Sequence, residues 1–166
     1  MLVVALTLQI GLFPQLSIAG VVPNLALLVV IAAAIVRGPQ YAAVLGFVAG
    51  LMVDLAPPAD HTAGRWALAF VVAAYLAGLV RRDADESALA AVMTVAGCSF
   101  VATSLFALSG LLLGDPGVTV ARVFSVVPIS VLYDVLVAPV VIPLVVAAYR
   151  RMDPYPRQEF ALGAQR

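Results

Sequence analysis

The sequence predicts an all-α, polytopic integral membrane protein folded as a six-helix bundle. Three observations predict it. Of 166 residues, 64% are hydrophobic and 11% charged, against about 45–50% and about 25% in soluble domains. The charges are absent over long stretches, namely 1–36, 38–53, 66–80, 87–114 and 135–149. Runs such as LALLVVIAAAIV are apolar on every face, whereas a transmembrane strand alternates apolar and polar positions over about ten residues.

About 20 helical residues, rising 1.5 Å each, cross a hydrocarbon core of roughly 30 Å. The first run is too long for one crossing. Pro14, Gly20, Pro23 and Asn24 divide it, giving spans at about 2–19 and 22–36. The first of these lacks a basic start and runs on past a signal-peptide core, so it reads as a retained span. The third span is 40–56. The fourth, 65–80, is short, and crosses if Arg65 and Arg81 extend their heads to opposite interfaces. The fifth is 87–113, opened by Asp85, Glu86 and Ser87, which suit a helix N-terminus, and closed by the turn Asp115-Pro116-Gly117. The sixth is 124–149, preceded by a short interfacial helix over 118–127. Residues 1–149 thus form one transmembrane domain, and 150–166 a polar, disordered tail on the cytoplasmic side.

Six crossings place Arg37, Arg81, Arg82, Arg150, Arg151, Arg157 and Arg166 on one side and Arg65 and Arg122 on the other. The positive-inside rule assigns the first side to the cytoplasm, with both termini there.

Nine acidic and nine basic residues cancel, which gives no field for nucleic acid. One Cys (Cys98) and one His (His61) cannot build a Cys/His-rich metal site. His61, in the outer loop Asp60 to Arg65, reads as solvated. Cys98, Ser99, Thr103 and Ser104 read as a small-residue packing stretch, because no base accompanies them within a span. No cofactor or metal is expected.

Gly46, Gly50 and Asp54 recur every four residues and share a face of the third span. Small residues at this spacing let another helix approach closely. That helix belongs either to the same bundle or to a partner. Phe47 and Leu51 complete the pattern. Asp134 sits alone in the apolar sixth span, where a carboxylate costs about 2.5–3.5 kcal/mol. It is read as a transport site, a polar contact to a partner helix, or a group hydrogen-bonded within the bundle. No basic residue lies at comparable depth to pair with it. Pro128, Pro139 and Pro143 are expected to bend this last span.

Together these features resemble the MreD family of rod shape-determining proteins. Pro23-Asn24-Leu25 is similar to that family's Pro-Asp/Asn-Leu opening, and Gly46-Phe47, Gly50-Leu51 and Asp54 to its GF-x-x-GL-x-x-D signature. Tyr133, Asp134, Pro139 and Pro143 resemble its C-terminal block, in which Asn is common at the Asp134 position. The resemblance implies a fold like the S-components of energy-coupling-factor vitamin transporters. It also implies a scaffold in the bacterial inner membrane, part of the cell-elongation machinery. The implied partner is an MreC-like single-span protein, which connects MreB filaments to RodA/PBP2-type peptidoglycan synthases.

Three functions are weighed. A non-enzymatic scaffold would bind the partner's span on the Gly46/Gly50 face or on the kinked last span. A solute-binding carrier would need inward polar groups, and Asp134, Asn24, Gln9, Gln15 and Thr94 are the candidates. An enzyme would have to run acid–base chemistry on Asp54 and Asp134 alone.

Overall fold

The structure is a computed structural model that describes residues 1–11, 15, 17, 20–57 and 62–152. The described residues form seven helices and no strand. These are α1 (Leu2–Gly11), α2 (Leu25–Arg37), α3 (Pro39–Leu55), α4 (Arg65–Leu79), α5 (Arg81–Glu86), α6 (Ala88–Leu112) and α7 (Val120–Met152). α6 and α7 are long and apolar enough to cross a bilayer, and α1 to α4 are shorter apolar helices of 10–17 residues.

α2 is the axle of the fold. It touches all six other helices, and its residues Leu25 to Ile35 are all buried. This explains why LALLVVIAAAIV carries no polar face: no side of the helix meets solvent or lipid. Gly38, with φ +90°, ends α2 and turns the chain directly into α3. Pro39 then occupies the first turn of α3, where its missing N–H costs nothing.

α3 and α4 pack antiparallel at backbone distance. A Cβ on Gly50 would lie 2.5 Å from Ala67 Cα and from the Trp66 carbonyl oxygen, and one on Gly46 would lie 2.8 Å from the Phe70 carbonyl oxygen. At the far end of the pair, Gly78 abuts Pro39. Ala67, Ala73, Ala74 and Ala77 fill the α4 side of the seam. Without a hydrophobic drive between helices in lipid, this close van der Waals contact is what holds such a pair together.

Several sequence expectations change. Arg81 and Arg82, expected between two spans, and Asp85 and Glu86, expected to open the fifth, instead form the short helix α5, whose Ala84 is buried. Ser87 caps α6, its Oγ accepting from the Ala90 N–H. The interfacial helix expected over 118–127 is instead continuous with α7, because Pro128 replaces only one N–H in a 33-residue helix. Arg65 does not extend to an interface. It is 4% exposed and turned inward. The latter half of the first expected span, the loop residues Asp60 and His61, and the tail 153–166 with Arg157 and Arg166 lie wholly or partly outside the described residues.

Candidate functional site

Two buried polar nodes and one exposed helix face stand out against this apolar frame. The first node lies where α3 ends and α4 begins. Asp54, 1% exposed, accepts from the N–H groups of Gly64 (2.9 Å), Trp66 (3.1 Å) and Ala67 (3.1 Å). Gly64 occupies the N-cap of α4 and has no side chain to satisfy these donors. Asp54 supplies that cap from the preceding helix, with a negative charge at the positive end of the dipole. The four-residue spacing of Gly46, Gly50 and Asp54 therefore serves a single contact. Two glycines bring α4 close, and the aspartate then caps it.

Of the two helices weighed for the Gly46/Gly50 face, one of the same bundle accounts for the geometry, and a partner's does not. α4 of the same chain fills it, so a partner's helix must find another surface. Phe47 and Leu51 point elsewhere. Phe47 is 52% exposed, and with Leu51, Gly64, Leu68 and Val71 it lines an open apolar groove of about 380 Å³.

Next to this cap lies a cluster that the sequence reading missed. The Arg65 guanidinium donates to Asp115 Oδ2 (2.7 Å), to Ser109 Oγ (3.2 Å) and to the Phe106 carbonyl (2.8 Å). It also lies 4.0 Å from the Phe106 ring centroid, and Trp66 stacks on that same ring at 4.2 Å. A charge removed from water this completely needs such pairing. The guanidinium ties the start of α4 to the end of α6 and to the following turn. Gly110 leaves room for it, because a Cβ there would collide with Arg65 Nη2. The turn Asp115-Pro116-Gly117 is the one sequence signal pointing to the cluster.

The second node lies at the start of α2. Asp134, 1% exposed, accepts from the Asn24 backbone N–H (2.6 Å) and the Ser99 hydroxyl (2.5 Å). The first N–H groups of α2 are also satisfied: Ala26 donates to Gln9 Oε1 (3.1 Å) and Leu27 to Asn24 Oδ1 (3.2 Å). Asp134 thus joins α2, α6 and α7 at one point inside the bundle. Of the readings weighed for it, internal hydrogen bonding accounts for its geometry. No basic partner is needed, because the N-terminal end of α2 carries the positive dipole.

Asp134→Ala is expected to leave a buried N–H and a buried hydroxyl without their acceptor, at about 1–3 kcal/mol for each such group. We expect a total loss of about 2–6 kcal/mol on that basis, read as an earlier unfolding midpoint in detergent. Asp134→Asn keeps an acceptor oxygen and the shape of the side chain, so we expect a loss below about 1.5 kcal/mol. Equal losses for the two substitutions would show that packing, not hydrogen bonding, is what Asp134 contributes.

The solute-carrier candidates are scattered. Gln9, Asn24 and Asp134 spend hydrogen bonds on α2, Thr94 donates to the Ala90 carbonyl within its own helix, and Gln15 is exposed. No buried side-chain N or O among the described residues lacks a hydrogen-bond partner. Among the described residues, the arginines expected on one side gather at one end of the fold. Arg37 lies over the Tyr41 ring (5.6 Å) and Arg81 packs on Gly38. Arg150 pairs with Asp85 of α5 (2.5 Å), while Arg82 and Arg151 are exposed.

Pro128, Pro139 and Pro143 all lie on the exposed side of α7. They oppose a buried stripe of Val127, Ser130, Asp134, Ala138, Ile142, Val145 and Tyr149. A second apolar groove of about 410 Å³, lined by Phe100, Val127, Pro128, Val131, Leu132 and Val135, runs between α6 and α7.

Comparison with known families decides the wider context. The family model for rod shape-determining protein MreD matches residues 1–152, nearly the whole chain. The chain belongs to the MreD family. MreD proteins are membrane proteins of a shape-determination family, not of a known enzyme family, and the match suggests a role in rod shape determination. No curated protein and no solved structure gives a significant match. The residues that carried the resemblance to MreD have distinct tasks here. Asn24 caps α2, Gly46, Gly50 and Asp54 fasten α4, and Asp134 fastens α2.

Proposed function

We propose that this MreD-family chain is a non-enzymatic scaffold that crosses the bacterial inner membrane six times, with both termini in the cytoplasm. It acts in rod-shape determination by holding the single span of an MreC-like partner. Through that partner it stands with MreB filaments and RodA/PBP2-type synthases and helps to position peptidoglycan synthesis. The observation that carries this reading is the use made of the polar groups. Asp54, Asp134, Arg65 and Asp115 all hold helices of this chain together, while the surfaces turned outward are apolar helix faces. Such a molecule recognises others by helix packing.

The test is affinity purification of the tagged full chain from its native membrane. We expect an MreC-like single-span protein at a near-constant ratio to the tagged chain, far above its recovery with an unrelated multi-pass bait. Equal recovery with both baits overturns the reading. A vitamin-sized molecule retained at one per chain would instead favour the solute-carrier reading.

A further inference from the structure

The outward face of α7 is built differently from the other lipid-facing helices, and the difference is chemical. Its ridge of Phe124, Pro128, Leu132, Leu136, Val140 and Leu144 repeats every four residues, and the five positions other than Pro128 are 59–77% exposed. Proline has no N–H, so each proline deprives the carbonyl four residues earlier of its regular donor. Pro128, Pro139 and Pro143 do this to Phe124, Val135 and Pro139. Measured along the helix from Arg150, the Pro139 and Val135 carbonyls lie about 17 and 23 Å in, and Phe124 about 39 Å. The first two fall within a hydrocarbon core of roughly 30 Å, where a carbonyl without a donor is costly. Prolines in membrane helices are tolerated when neighbouring helices, hydroxyl side chains, ordered waters or local adjustments of the helix serve the freed groups.

We propose that this face seats one transmembrane helix of a partner protein, carrying Ser or Thr hydroxyls that donate to the Val135 and Pro139 carbonyls. Hydrogen-bond complementarity selects that occupant. Lipid acyl chains have no donor. A second copy of this chain, placed face to face, would present the same ridge without hydroxyls, and the Ser125 hydroxyl beside it already donates to the Arg122 carbonyl of its own helix. A helix bearing hydroxyls supplies both the donors and the small residues that permit close approach. The groove lined by Phe100, Pro128 and Leu132 accepts one bulky side chain of that helix. The inference rests on the scaffold reading and adds to it the surface and the chemistry of contact.

The test places a photo-crosslinking residue at Leu136 or Val140 of the full chain in its native membrane. Val44 on α3 and Leu68 on α4, 68% and 56% exposed, are the comparison positions. We expect adducts with the transmembrane helix of the co-purifying single-span partner at Leu136 and Val140, at least about fivefold above the comparison positions. Pro139→Ala with Pro143→Ala returns both donors to α7. It should lower the adduct roughly threefold to tenfold, the range for one or two interhelical hydrogen bonds. Replacing the partner helix's hydroxyls by Ala or Val, with this chain unaltered, should lower it equally. Equal yields at all four positions, adducts with lipid only, or adducts with a second copy overturn the inference. If the partner co-purifies but crosslinks best at Val44 or Leu68, the α7 face is wrong and the scaffold reading stands. If no partner co-purifies, both fall.

Discussion

Replacing Gly50 with Leu is expected to separate α3 from α4 and to be among the most damaging single substitutions in the bundle. Even the first atom of a side chain at this position would lie 2.5 Å from Ala67 Cα and the Trp66 carbonyl oxygen. These are backbone atoms, so no rotamer change relieves the clash. Overpacking a core costs about 1–3 kcal/mol, and more where the backbone must move. We expect roughly 3 kcal/mol or more for Gly50→Leu on that basis, with protein lost to degradation or aggregation in detergent. Alanine makes the sharper comparison. Gly97 lies in the interior of α6, and a Cβ there would meet nothing within 4 Å. Gly97→Ala is therefore expected to be neutral or to stabilise by up to about 1 kcal/mol, from helix propensity. Gly50→Ala, the same chemical change, is expected to destabilise. Unfolding midpoints of the two variants in one detergent check this difference in sign.

Asp54→Ala is expected to cost about 2–4 kcal/mol, because three donors at the start of α4 lose their acceptor at once: the buried Ala67 N–H at about 1–3 kcal/mol, and the two part-buried ones at about 0.5 kcal/mol each. Asp54→Asn retains one acceptor oxygen and is expected to lose about half as much. Hydrogen exchange gives the local readout. Amides at the start of α4 should exchange faster in Asp54→Ala, while those in the middle of α2 stay protected. A uniform increase across all helices would show that Asp54 supports the whole bundle and is not specifically a cap.

Much of this architecture is legible in the sequence because charge and punctuation coincide with helix ends. Gly38-Pro39 divides two helices, Ser87 opens one, and Arg65 begins another. Asp54 and the glycines before it are legible as one face, since spacing by four is a local property of a helix. The identity of the helix opposite is not local. Nothing in Gly46 or Gly50 distinguishes α4 from a foreign helix, and only the fold shows that the place is taken. Likewise Asp134 stands out as a lone carboxylate. Its partners, the Asn24 amide and Ser99, lie 110 and 35 residues away and are brought to it by tertiary packing. The inward turn of Arg65 is not legible, because a flanking arginine looks alike in sequence whether it reaches for water or for Asp115.

The enclosure of α2 sets an order of events. A chain entering the membrane from its first residue delivers its most central rod early, yet the carboxylate that completes the start of that rod arrives on the last one. Contacts so distant along the chain form late, and until they do an amide at the head of the rod lacks its permanent acceptor. Maturation of the centre therefore waits for α7. A chain that stops short of α7 is expected to leave the head of α2 without its acceptor, so that the centre as well as the outside is unfinished.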